Sequence, residues 1–281
     1  ARVDGADAGA AAAFNEKRIG NHIQISDAVV RVSDGARLVD TIGYSDRLVH
    51  ELMIRQKELK RTMEAILTSN QASVEHTSTT AGQTAGLGAL IQTNVIGATT
   101  PGAFANGITS APTPAAAAGL TEKKIRDAAE MAYNKGGNPT VIMSTPKVIR
   151  ALSEYLFTSS ARVATLMTDV QGTNKEGKYG KQGVTAVGAV NTFVSDFDTL
   201  QFVPNRLMQT YKSGATDVAN VYLLDPDYWD VGYLQPIQTK ELARTGTAEN
   251  RQMTVFYGNL ALQEKASAMI MAVDPTVAVA A

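Results

Sequence analysis

Residues Ser45 to Ser69 carry the strongest folding signal in the chain. Leu48, Leu52, Leu59, Met63, Ile66 and Leu67 recur at helical spacing, and Glu51/Arg55 and Lys60/Glu64 are opposite charges four residues apart. Ser45 is a suitable N-cap, and Asp46 suits the positive end of the helix dipole. These 25 residues predict a rod of about 37 Å, long for a compact domain in a chain of 281 residues. The rod is either a central core helix or a spine joining two ends of an extended subunit.

The neighbouring segments are less self-sufficient. Ala6 to Ala13 is almost entirely Ala and Gly and reads as a mobile arm. Ile23, Ile25, Val30 and Val32 alternate with polar residues, and Leu38 to Ile42 follows Ser33-Asp34-Gly35, so a hairpin turning at Asp34-Gly35 is expected. It has few large side chains and must lie against something else, in this chain or a neighbouring one. No charge occurs between His76 and Thr121, which suggests a partly ordered connection with short strands near Ile91 to Ile96 and a flexible stretch from Thr99 to Ala118.

A compact unit begins at Leu120. Thr121 caps a helix that ends before Gly136-Gly137, and Leu120 can staple onto Ile125. Asn138 to Ser144 is a buried-strand pattern, and Thr145-Pro146 opens a helix ending near Phe157. Ser159 to Gly183 is polar and glycine-punctuated, and Thr185 to Ser195 with Leu200 to Val203 predicts a second hairpin. Strands are expected at Val221–Leu224, Trp229–Leu234, Gln252–Tyr257 and Leu260–Val273. The order is α+β with discontinuous parts.

Composition excludes several kinds of chemistry. Lys+Arg 26 against Asp+Glu 27 leaves a net charge of −1, which disfavours a dedicated nucleic-acid coat. The chain has no Cys, so disulfides, thiol nucleophiles and Cys-based zinc sites are absent. His22, His50 and His76 have no metal-binding spacing. Gly172 to Tyr179 spells a phosphate-loop pattern but ends in Tyr179 where Ser or Thr should hold magnesium, and it lacks the flanking strand and helix. Asp225, Asp227 and Asp230 read as turn residues, as do Asp196 and Asp198, and no GxSxG elbow occurs. No catalytic or metal site and no cofactor is expected. Without a run of about 18 apolar residues, and with no signal-peptide stretch after Ala1-Arg2-Val3-Asp4, no membrane partner is expected either.

What remains is plentiful core and three elements that look incomplete alone: the N-terminal arm, the first hairpin and the Arg244 to Asn250 loop. Ordering extended chain costs more entropy than its few local contacts return, so a neighbour should order it. That points to an assembly protein. Arg55, Lys57, Lys60 and Arg61 cluster on the long helix among Glu58 and Glu64. They form either a solvated, salt-bridged face or a weak contact for nucleic-acid phosphates.

Six blocks in order resemble a family of tailed-bacteriophage major capsid proteins. They are Gly20-Asn21-His22-Ile23-Gln24-Ile25; Lys57 to Arg61 with Leu67 to Ser73; Ala85 to Gly88; Val194 to Phe197 with Val203 to Arg206; Leu224 to Trp229; and Lys240 to Gly246 with Asn250 to Gln252. The resemblance implies the Hong Kong 97-type capsid fold. It divides the chain into an N-terminal arm (1–18), an extended E-loop hairpin (19–43), a first part of the peripheral domain with the spine helix (44–119), an α/β axial domain (120–219) and a second peripheral part supplying the β-sheet (220–281).

The implied function is a virion shell of pentamers and hexamers, assembled in the bacterial cytoplasm around double-stranded DNA held weakly and without sequence specificity. Portal, scaffold and decoration proteins are further expected partners. An encapsulin-like nanocompartment shell of the same fold is the alternative. Some members of the wider fold crosslink subunits through Lys and Asn, but residues 19–43 contain no Lys, so non-covalent assembly is expected. From position and charge, Arg31, Arg37, Arg244, Glu249 and Arg251 are the expected inter-subunit contacts, and Arg55, Lys57, Lys60 and Arg61 the DNA-facing positives.

Overall fold

The computed structural model describes residues 19–39, 43, 46–158, 192–197, 199–244 and 246–280. The expected arm and the Gly172–Tyr179 loop lie outside them. The first strand, β1 (Gln24–Ser33), leads into a short helix, α1 (Asp34–Leu38), and then the long helix α2 (Arg47–Leu67). Its 21 residues span about 31 Å. Asp46, rather than Ser45, caps α2 by accepting from the Leu48 amide at 2.9 Å. Its charges pair as Arg47–Glu51 and Arg55–Glu58, while Glu64 accepts from the Asn205 amide at 2.9 Å.

The expected first hairpin is corrected. Ser33, Asp34 and Arg37 are cap, first-turn acid and last-turn base of α1, and these outweigh the Asp-Gly turn signal. The partner of β1 is distant in sequence: it pairs antiparallel with Ala248–Ala261, from Gln24↔Tyr257 to Ser33↔Ala248.

The uncharged stretch contains α3 (Leu87–Leu90), β2 (Val95–Ile96), β3 (Ala98–Thr100), β4 (Phe104–Ala105), β5 (Ile108–Thr109) and β6 (Thr113–Pro114). The pairs β3–β6 and β4–β5 make two small sheets, so the supposedly flexible Thr99–Ala118 has regular structure. Next come α4 (Glu122–Tyr133), β7 (Val141–Ser144) and α5 (Pro146–Thr158). Thr121 caps α4 by accepting from the Lys124 amide at 3.2 Å. The remaining strands are β8 (Thr192–Val194), β9 (Thr199–Pro204), β10 (Tyr211–Ser213), β11 (Thr216–Leu224), β12 (Trp229–Glu241), β13 (Ala248–Ala261) and β14 (Ala268–Val273).

These strands divide between two main sheets. One is three-stranded, ordered β1-β13-β12; the other runs β2-β14-β11-β7-β9-β8 with β10 paired to β11. The expectation of one peripheral sheet drawing on Val221–Val273 is thereby corrected, because β11 and β14 join the large sheet and β12 and β13 the small one. The expected single strand Leu260–Val273 is broken by a turn at Glu264–Ala266. Glu264 is buried there, accepting from the amides of Gln92 and Thr93 and from the Thr93 hydroxyl.

The large sheet is covered on both faces. Ile142, Val221, Leu223 and Ile270 face α4 and α5 with Leu120, Ile125 and Leu152. Tyr222, Met269 and Met271 face Leu87, Ile91 and Met208. This gives the uncharged stretch its physical reason: part of it is the second cover, where a charge would be desolvated. In the small sheet Val30 and Val32 meet Leu48, and Met253, Val255 and Tyr257 meet Leu59 and Met63 of α2.

Gly137 closes the turn after α4 against the backbone before β14. A Cβ there would lie 2.2 Å from the Ala266 oxygen and 2.3 Å from its Cα. Gly137→Ala is expected to cost about 1–3 kcal/mol. Gly35→Ala, with nothing within 4 Å of the added carbon, should leave stability equal or slightly higher. Chemical denaturation of the two variants side by side checks this.

Candidate assembly interface

Four of the five residues expected to bridge subunits meet within one chain. The strand register sets Val32 opposite Glu249, and the Asp34 amide donates to the Thr247 carbonyl at 2.9 Å. Together these draw α1 onto the loop between β12 and β13. Glu249 is the centre: its side chain is only 4 % exposed and receives Arg251 at 2.7 Å, Arg244 at 3.5 Å and Arg37. An outer ring closes the cluster. Arg37 reaches Asp46 at 3.6 Å, Arg244 reaches Asp34 at 3.9 Å, and Arg251 reaches Glu241 at 3.9 Å.

The Arg251 hydrogen bond, with the charges of Arg37, Arg251 and Arg244, holds the Glu249 carboxyl below its usual value against the opposing effect of burial. The Arg251 guanidinium is raised in return, chiefly by its bond to Glu249. The cluster is an intramolecular clasp tying β1, α1, the start of α2 and the tip of the β12–β13 hairpin. Asp34, Asp46 and Glu241 were not anticipated as members. Their pairings follow from the β1–β13 register, which spacing along the chain does not show.

Arg31 is different. It is exposed and borders a cavity of about 470 Å³ with Ser33, Arg47 and Glu51, and no ion pair engages it among the described residues. On α2, Arg55 is paired with Glu58 at 2.8 Å. Lys57, Lys60 and Arg61 are exposed, unpaired among the described residues, and turned away from the buried Leu59 and Met63.

No group of three or more His, Asp or Glu is placed to hold a metal among the described residues. Asp225 is a turn residue, accepting from the Asn138 and Asp227 amides, and Asp196 lies 3.4 Å from Arg126. His22 meets the Gly107 carbonyl at 3.1 Å.

Comparison with protein families matches residues 1–274 to the SU10 major capsid protein family. The chain belongs to that family. It is a major capsid protein of the tailed-phage type, a structural component of the virion that associates with copies of itself into a shell.

Two solved structures agree on the fold, which is the Hong Kong 97 type. The holo-SrpI encapsulin complex of Synechococcus elongatus matches with a TM-score of 0.52 at 11 % identity, over 91 % of this chain and 75 % of that one. The satellite phage P4 procapsid including the size determination (Sid) protein matches with a TM-score of 0.51 at 7 % identity, over 98 % and 79 %. Gordonia phage Cozz gives 0.47 at 12 % identity, over 98 % and 79 %. A search of curated proteins finds no match.

For this SU10-type capsid protein the clasp has a defined acid response. Glu249 is depressed in the folded state, so its contribution is present above the ordinary carboxylate pKa of about 4.3 and disappears as pH falls through the lowered value. Glu249→Gln is expected to melt at lower temperature near neutrality and to lose less of its stability on acidification than the parent. Thermal melts between about pH 3 and 7 check both, since the two curves should converge at the acid end.

Proposed function

We propose that this capsid protein forms the pentamers and hexamers of an icosahedral shell that encloses double-stranded DNA, and that it acts mechanically rather than as an enzyme. The observation that carries the proposal is the family match across residues 1–274. Many modest contacts per subunit, repeated around the shell, sum through multivalency into resistance to internal pressure. Residues 19–43 lack Lys, which supports non-covalent cohesion. Assembly takes place in the bacterial cytoplasm, with portal, scaffold and decoration proteins as further partners.

In this reading the small sheet with α2 is the peripheral domain. The α4–β7–α5 segment with β8 and β9 is the axial domain, sharing its sheet with β11 and β14. The clasp at Glu249 holds the subunit surface in shape. Arg31, whose guanidinium is unpaired among the described residues, makes the ion pair to a neighbour, and Arg37, Arg244 and Arg251 offer the neighbour only their exposed sides. Lys57, Lys60 and Arg61 are the weak phosphate contacts, and a near-neutral net charge of −1 keeps the genome releasable.

Electron microscopy of the expressed chain should show closed shells, and denaturing gels of them should show monomer without a ladder. Particles holding a cargo protein in place of nucleic acid would favour the encapsulin-like alternative, which has only likeness of fold behind it. Reversing Lys57, Lys60 and Arg61 to Glu should leave shell formation intact and lower the nucleic-acid content per particle. An unchanged ultraviolet absorbance ratio in purified filled particles would count against that role.

A further inference from the structure

Asn followed directly by Gly occurs once in the 281 residues, at Asn106-Gly107. This pair forms the tip of the β4–β5 hairpin, where Phe104 faces Thr109 and Ala105 faces Ile108. Both central residues lie at positive φ, 52° at Asn106 and 81° at Gly107, the mark of a tight type I′ turn. The tip is open to water: Ala105 to Ile108 are exposed, and a Cβ built on Gly107 would meet nothing within 4 Å. Among the described residues, neither the Asn106 side chain nor the Gly107 amide makes a hydrogen bond.

That combination is chemically reactive. The side-chain carbonyl carbon of an asparagine is electrophilic and can close a five-membered ring with the next backbone nitrogen. A following glycine has no side chain to obstruct the approach and leaves the backbone free to swing into it. Other asparagines of the chain lack these conditions. Asn138 precedes Pro139, which has no N–H. Asn21, Asn94, Asn205, Asn220 and Asn259 donate from their side-chain amides, and each precedes a residue with a side chain.

We propose that Asn106 is a modification site, converted by spontaneous deamidation each time the β4–β5 hairpin opens long enough for ring closure. The Gly107 nitrogen gives its proton to solvent base and attacks Asn106 Cγ. A C–N bond forms, the bond from Cγ to Nδ2 breaks, and ammonia leaves with a proton taken back from water, closing a succinimide. Water then opens the ring at either of its carbonyl carbons. One opening restores the ordinary main chain with an aspartate in place of Asn106. The other leaves an isoaspartate, whose main chain runs through the former side chain and is one carbon longer. The net change is one water consumed, one ammonium released and one negative charge gained, with no oxidant or reductant required.

The fold sets the rate. In the closed turn Asn106 is left-handed, which carries the Gly107 nitrogen away from the Asn106 side chain, so ring closure waits for local opening. Three contacts hold the hairpin shut over the segment before β1. His22 Nε2 lies 3.1 Å from the Gly107 carbonyl, and since that oxygen can only accept, the ring nitrogen donates. Thr109 is buried, its amide donating to the Ser73 hydroxyl at 2.6 Å and its hydroxyl to the Gly20 carbonyl at 3.0 Å. The Phe104 ring covers Gly20, where a Cβ would come within 3.3 Å. Of the three, the His22 bond alone reaches the reacting pair. An isoaspartate breaks the two-residue turn that sets Phe104 opposite Thr109, and the segment before β1 loses its cover.

The test incubates the full-length chain at mildly alkaline pH in heavy-oxygen water, folded and in urea, and follows fragments spanning Ala105 to Gly107 by mass spectrometry. Each deamidation leaves a heavy oxygen at position 106. The folded chain is expected to gain it there, more slowly than the unfolded chain. His22→Ala should raise the folded rate about fivefold, the equilibrium equivalent of one hydrogen bond of about 1 kcal/mol, and His22→Gln, which keeps a donor, should bring it back toward the parent rate. Asn106→Gln should abolish the gain. A folded chain that takes up no label at 106 while the unfolded chain does overturns the site. Equal rates in the two states overturn the control by hairpin opening, and a parent-like rate in folded His22→Ala overturns the role of His22. The comparison of folded with unfolded parent decides the site whatever the fold of the variants, and its failure leaves the shell reading standing.

Discussion

The subunit hangs on the hydroxyl of Tyr222. This side chain is fully buried on β11 at the centre of the large sheet, and its hydroxyl donates to the Thr68 carbonyl at 3.0 Å, at the last turn of α2. Burial raises its pKa far above the ordinary phenol, so it stays a donor under all physiological conditions. Around it Asn220 donates to Asn70 at 2.7 Å and accepts from Tyr211 at 2.7 Å, and the Tyr211 hydroxyl takes the Ala272 amide at 3.0 Å. The body of α2 packs on the small sheet, while its end is hooked into the large one. A helix so fixed at both ends transmits force between the two sheets, which suits a shell subunit.

The same joint explains the pattern of charge. Gly86 and Gly88 turn closely under the end of α2, where a Cβ would meet Ser69 at 2.2 Å and Asn70 at 1.9 Å. From there the chain runs across the large sheet as its second cover. Its buried part, 84–94, lies between a helix end and a sheet face, where a charged group would be desolvated, and it contains none. Glu264 is the exception, brought in from the far side of the chain and satisfied by two amides and a hydroxyl.

The clasp at Glu249 organises the opposite end of the small sheet. It turns residues that look available for neighbours into a preformed surface, so assembly need not order them again at each contact. Chain entropy lost in folding is not lost a second time on association. The small sheet keeps one uninterrupted edge, with Arg31 exposed beside it.

Local patterns were legible where the partner of each residue is near in sequence. The stripe of α2, the Thr121 cap, Pro146 at a helix start and, of the hairpin expected over 185–203, the described pairing of Thr192–Val194 with Thr199–Gln201 all follow from spacing and turn chemistry, as does the family likeness carried by short blocks; 185–191 lie outside the described residues. Pairings across long separations were not legible. Nothing in the alternation of β1 names β13 as its partner over some 220 intervening residues, and the Asp34-Gly35 signal pointed to a nearer one. The residues of the clasp stood out by position and charge, but their pairing with one another inside a single chain did not. The sequence by itself determined the elements whose signals are local, the absence of thiol chemistry, and the family. The tertiary structure alone decided which strands share a sheet, which charges meet and which edge is left open, because those depend on register between distant segments and on burial that no single stretch of chain contains.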